Sequence, residues 1–112
     1  MNNAEFMKII AALTEGRMRW GEKKGEEYAN CEEDRFNNFR SIGSQLGISP
    51  YTTLLIYLNK HVDSVNHFVR SGMSTSSNES ILSRIQDIQN YLDLMIGMLV
   101  EDGYIKEEEY GN

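Results

Sequence analysis

His61 stands in the middle of an apolar stripe, at a position an aliphatic residue would ordinarily fill. The stripe is Leu54, Leu58, His61, Val65 and Phe68, at steps of four, three, four and three. Such an imidazole is either a core histidine whose nitrogens find polar partners or a base or ligand-binding group tuned by its burial. On the flank of the stripe, Tyr57, Lys60, Ser64 and His67 recur at helical steps and form one polar line. Arg84, Asp87 and Tyr91 form a matching line further along, with Asn90 one step round. Brought face to face, the two lines make a pocket of cations, aromatic planes and one carboxylate. Lys60, Arg84 and His67 suit a phosphate there, while Tyr57 or Tyr91 can stack a base. The competing reading is a solvated seam in which Lys60 or Arg84 pairs with Asp87.

Carboxylates offer a second chemistry. Glu32 falls near the face that carries Phe36 and Phe39, so it can point inward and share a magnesium ion with Asp87. The run Glu32-Glu33-Asp34 is equally what a helix N-terminus attracts. No second His or Cys shares the face of His61 at metal-ligand spacing, which argues against zinc. Cys31 is the only cysteine, so no intramolecular disulfide can form and a reducing compartment is the simplest setting. Its acidic neighbours disfavour the thiolate that a nucleophile needs. No catalytic residue can be assigned from these patterns.

A chain of 112 residues with 40% hydrophobic residues and one proline fits a single all-α domain, its core at about residues 3–102. A net charge of -6 argues against duplex nucleic acid as partner, since phosphate contacts need a basic face. The N-terminus lacks the pattern of a signal peptide, and no apolar run approaches the ~20 residues of a membrane span. The expectation is a cytoplasmic protein with no membrane partner.

The elements that must position these residues read as a four-helix antiparallel bundle. A first helix is predicted from about Asn3 to Trp20, capped by Asn2 or Asn3, with Phe6, Ile10, Leu13 and Trp20 on one face. Gly21 to Asn30 reads as a loop. A second helix should start near Asn30 or Cys31, end before Gly47 and bury Phe36, Phe39 and Leu46. Ser49-Pro50 is a strong start signal for a third, running to Arg70. Residues 71–78 read as a flexible connection, and Ser76 with Glu79 as a capping box for the fourth helix, Glu79 to Glu101. That helix carries the heptad Ile81, Ile85, Ile88, Leu92, Met95 and Leu99, with the polar line of Arg84, Asp87 and Tyr91 beside it. Gly103 ends it, and residues 103–112 form a loose acidic tail. The two long helices should pair antiparallel with the first two covering their open side. Leu94, Ile96, Met98 and Val100 widen the apolar surface of the fourth helix, which suggests a central place or a contact in a homo-oligomer.

Several stretches together resemble a known type of protein: Lys24-Gly25-Glu26-Glu27-Tyr28-Ala29, Asp34-Arg35-Phe36-Asn37-Asn38-Phe39, Lys60-His61-Val62-Asp63-Ser64 and Arg84 through Leu92. They resemble small helical bacteriophage proteins of the nucleotide-modification-associated domain and, more remotely, MazG-like all-α nucleoside triphosphate pyrophosphohydrolases. The resemblance spans roughly residues 20 to 102. It implies a bundle holding a nucleotide between helices, with magnesium bridging acidic groups and phosphates. On it, Asp87, Asn90 and Tyr91 take the motif of the last helix, Lys60, His61 and Asp63 the middle motif, and Glu32 and Asp34 the preceding one. The chain departs from the MazG-like pattern, since it has no Glu-x-x-Glu and no Glu-x-x-Asp. Pyrophosphate cleavage uses several carboxylates to hold Mg²⁺ and activate water. The thinner acidic set therefore suits binding a phosphorylated ligand without hydrolysing it, as a phage sponge for a host immune nucleotide signal would. The alternatives are a Mg-dependent nucleotide pyrophosphohydrolase or nucleotide-modification accessory enzyme, and an interaction module acting on a host protein.

Overall fold

The computed structural model describes residues 1–30, 36–74 and 80–111, the side chains of 24–30 excepted. The described residues are helical, with no strand, and fall into α1 (Asn3–Asn30), α2 (Asn37–Leu46), α3 (Pro50–Arg70), α4 (Ile81–Glu101) and α5 (Glu107–Tyr110). None of these helices is long and apolar enough to cross a membrane. Contacts divide the chain into two units, Met1–Arg35 and Phe36–Asn112.

The first unit is α1. Asn2 accepts from the Glu5 amide at 2.9 Å and the Glu5 carboxylate accepts from the Asn2 amide at 3.1 Å, a reciprocal cap. Arg19 bridges Glu15 one turn away at 2.9 Å. The helix runs ten residues past the expected end at Trp20, through the stretch read as a loop. Gly21 and Gly25 each cost a helix about 1 kcal/mol relative to alanine, but the glutamates and lysines around them are good helix formers. A glycine ends a helix when it takes a left-handed φ, and Gly21 does not. Phe6, Ile10 and Trp20 are exposed rather than forming a buried face, and only Leu13 of that set is half-buried.

In the second unit α2, α3 and α4 pack together. Phe36 occupies the cap position of α2, so the described helix begins later than the sequence predicts. Glu32, Glu33, Asp34, Cys31, Ser76 and Glu79 lie outside the described residues. Gly47, at φ 69°, turns the chain into the left-handed region, and the Ile48 amide reaches back 2.9 Å to the Gly43 carbonyl. The corner is tight. A Cβ on Gly43 would stand 2.7 Å from the Ile48 carbonyl oxygen and 3.1 Å from the Pro50 nitrogen. Leu46, expected inside, is exposed beyond this corner.

Ser49 caps α3 by accepting from the Tyr51 amide at 3.1 Å, with Pro50 in the first turn, as the Ser49-Pro50 signal predicts. For α4 the cap is Ser80, which accepts from the Ser83 amide at 3.0 Å. Gly103, at φ 85°, ends α4, and the Tyr104 amide turns back 2.8 Å to the Leu99 carbonyl. In the tail Glu109 accepts from the Lys106 amide at 2.7 Å and starts the single turn of α5.

Three cross-contacts set the register of the long helices. Tyr51 meets Asp102, Tyr57 meets Tyr91, and His61 meets Asp87. Rising numbers on α3 meet falling numbers on α4, so the pair is antiparallel as predicted. Leu54 and Met98 are fully buried between them, and Phe39 from α2 closes the core with Phe36, Tyr51, Tyr91, Leu94 and Met95 around it. Phe36 lies so close to α4 that a Cβ on Gly97 would fall 2.7 Å from its ring.

The packed face of α4 is not the predicted heptad. Its seam is Asp87, Tyr91, Leu94 and Met98, itself spaced four, three and four; of the heptad Met95 packs at its edge, while Ile85 and Leu92 are exposed. The physical reason is that the Tyr91 and Asp87 side chains have partners across the seam in Tyr57, Phe39 and His61. The polar line therefore does not run beside the seam; it forms the N-terminal half of it.

Candidate functional site

Along the α3–α4 pair the seam changes character within two turns. At Leu54 and Met98 it is dry; at Tyr57 and Tyr91 it is aromatic; at His61 and Asp87 it is ionisable. The Tyr57 and Tyr91 rings lie parallel within 2°, their centroids 6.3 Å apart. Phe39 meets both edge-on, at 6.1 Å from Tyr57 and 6.3 Å from Tyr91, with interplanar angles of 70° and 71°. Edge-to-face packing of this kind sets the positive rim of one ring on the negative face of another and holds the rings in place. The His61 ring is tilted 32° to that of Tyr91, ring centroids 5.4 Å apart.

His61 Nδ1 stands 3.6 Å from Asp87 Oδ2. That separation is too long for a hydrogen bond but close enough for a charge contact. The carboxylate thus has the His61 ring beside it across the seam, a neighbour the sequence reading did not pair with it. Tyr91 ionises less readily than a free tyrosine, first because of burial and then because of the charges of Asp87 and Tyr57. Its hydroxyl is accordingly a proton donor at neutral pH.

The remaining predicted residues surround this cluster unevenly. At about 100° per residue, Lys60, Ser64 and His67 on α3 and Asn90 on α4 fall on the side of the pair against which α2 packs. Lys60 and His67 are exposed, and Asn90 is half-buried. The Ser64 hydroxyl donates to the Lys60 carbonyl at 3.2 Å, the usual back-bond of a helical serine. Arg84, half-buried, lies one turn before Asp87 on the same face. The Glu32 half of the proposed magnesium pair lies outside the described residues. Among the described residues no three His, Cys, Asp or Glu side chains gather at metal-binding separation.

Two features escaped the sequence reading. Phe39 was placed only as a core residue, yet it is the floor under both tyrosines. The second is a tie at the opposite end of the pair: the Tyr51 hydroxyl donates to Asp102 at 2.6 Å, and Arg40 reaches Asp102 and Glu101, each at 3.0 Å. The Tyr51 ring also meets Tyr104 edge-on at 6.4 Å. These residues lie about fifty to sixty positions apart in the chain and share no local spacing, so no periodicity signals them. By linking α2, α3 and the end of α4, the tie fixes the register that brings Tyr57 to Tyr91 and His61 to Asp87.

The α2 helix contributes backbone as well as Phe39. It runs from the cluster toward the start of α3, because Phe39 meets Tyr57 while Gly43 meets Pro50. Its N-cap residue, Phe36, rests its ring against Gly97 of α4 and brings no side-chain oxygen to accept from the first-turn amides. Comparison of the chain with known protein families, with curated proteins and with solved structures found no match.

Proposed function

We propose that the chain binds a nucleotide or a related phosphorylated ligand at the α2 side of the α3–α4 pair and holds it without hydrolysis. The observation that carries this reading is the parallel pair of Tyr57 and Tyr91, fixed from below by Phe39 and flanked by His61 and Asp87. A partly exposed aromatic platform beside a hydrogen-bonding carboxylate and imidazole suits a base, whose flat face stacks while its edge meets polar groups. Phosphate suits the surrounding positions: Lys60 and His67 on α3 and Arg84 on α4. Asn90 and Ser64 add polar contacts on the same side.

Sequestration of a nucleotide signal is the biological role that fits retention without turnover. In this reading the protein acts by stoichiometry. Mass spectrometry of small molecules released on denaturing the purified protein tests it. Recovery of an intact nucleotide-type ligand from wild type, and its loss from Lys60→Ala and Arg84→Ala variants, supports the reading. Recovery of a cleaved product instead, accompanied by Mg²⁺-dependent turnover that Asp87→Ala abolishes, would make the protein a pyrophosphohydrolase.

A further inference from the structure

α2 covers one side of the α3–α4 pair, and the opposite side carries a second apolar surface. On α3 it is Leu55, Leu58, Val62, Val65 and Val69, at steps of three, four, three and four. On α4 it is the predicted heptad, Ile81 through Leu99, of which Ile85 and Leu92 are exposed while Met95 also reaches the core. With the helices antiparallel, both stripes lie about 90° from the seam in the same sense, and so share one flank. The most open positions are Leu55 (48% exposed), Val69 (52%), Ile85 (39%) and Leu92 (43%). Between the turns of α3, Leu55, Leu58 and Val62 line an open recess of about 360 Å³.

We infer that this flank is the contact between two copies of the chain, packed α3–α4 pair against α3–α4 pair about a twofold axis. Area is the first argument. Four of the stripe side chains, two on each helix, are 39% to 52% exposed on one flank, more open apolar surface in one place than scattered single residues present, and apolar patches of this kind mark interaction faces. The core inside one copy is correspondingly small, with Leu54, Met98 and Phe39 the buried hydrophobic residues described. Charge is the second argument. Neither stripe contains a charged residue over two 21-residue helices, the depletion that marks interface cores. Each copy carries a net charge of -6, so a partner must approach through a face that brings no like charges together. The flank meets that condition, and a twofold contact demands nothing from the partner that this chain lacks. A lipid surface fits less well, since helices that lie on membranes set a basic face beside the apolar one.

The contact lies on the other side of the pair from the proposed ligand site, because Lys60, Ser64 and Asn90 fall on the α2 side. Sedimentation equilibrium of the intact chain over a range of micromolar concentrations tests the inference. Wild type is expected at twice the 12.9 kDa chain mass, and Leu92→Glu on α4 at the single-chain mass with its helical circular dichroism retained. Leu55→Lys, on the other helix of the flank, gives a second reading should the first variant not fold. Wild type that stays monomeric throughout, or a dimer that folded flank variants leave intact, overturns the inference.

Discussion

The Tyr51 hydroxyl lies 2.6 Å from the Asp102 carboxylate, joining the first turn of α3 to the residue that caps α4. The bond has consequences at both ends of the pH scale. Asp102 holds its charge to lower pH than a free aspartate, first because Tyr51 donates to it and then because Arg40 does. The Tyr51 hydroxyl is pushed up to about 12, first by burial and then by its bond to Asp102. A lowered carboxylate contributes stability that is whole above the ordinary aspartate range and lost as pH falls through its folded value. A raised tyrosine contributes stability that is whole below the ordinary tyrosine value of 10.0 and lost as pH rises through about 12. Tyr51→Phe should therefore lower Tm by about 3–6 °C at neutral pH. The gap from wild type should close between pH 10 and 12. A gap unchanged at pH 12 contradicts this account.

Two glycines separate crowding from helix propensity. Gly16 in α1 has no neighbouring atom where a Cβ would stand, whereas Gly43 meets the Ile48 carbonyl oxygen at 2.7 Å. Gly16→Ala should raise the helix content of α1, by about 1 kcal/mol of propensity. Gly43→Ala gains the same propensity but forces the α2–α3 corner apart, and should lose about 1–3 kcal/mol net. Thermal unfolding followed by circular dichroism reads both.

Among the described residues Leu54 and Met98 are the large side chains that are fully enclosed. Leu54→Ala should cost about 2–5 kcal/mol, a large share of the ~5–15 kcal/mol that holds an ordinary domain. Met98→Leu keeps the volume and should cost less than about 1.5 kcal/mol. Denaturant titration distinguishes them; equal losses would show that the core is not where the packing places it.

Helix existence was legible from local rules, and the seam was not. Ser49-Pro50, Gly47 and Gly103 mark their boundaries by chemistry that acts within a few residues. Gly21 and Gly25 misled, because a glycine inside a run of glutamate and lysine costs stability without ending the helix. Apolar periodicity identified α4 but chose the wrong face, since Ile85 and Leu92 are more hydrophobic than Asp87 and Tyr91. What decides the face is the set of partners across the seam, Phe39, Tyr57 and His61, and these come from two other helices. The residues of the candidate site were picked out by the same reasoning, because His61 interrupts its stripe and Tyr57 flanks it. The Tyr51–Asp102–Arg40 tie, which sets their register, has no local pattern to find.

The central claim is that the Tyr57–Tyr91 platform takes a base. Isothermal titration of wild type, Tyr57→Ala and Tyr91→Ala tests it most directly, using nucleoside triphosphates, cyclic dinucleotides and ADP-ribose, with ligand integrity checked afterwards. The account predicts saturable binding of at least one of these, the ligand recovered intact. It also predicts a loss of roughly 5- to 150-fold in affinity for each alanine variant, as ~1–3 kcal/mol of base stacking implies. No binding by wild type, or affinities that both folded variants leave unchanged, would contradict it.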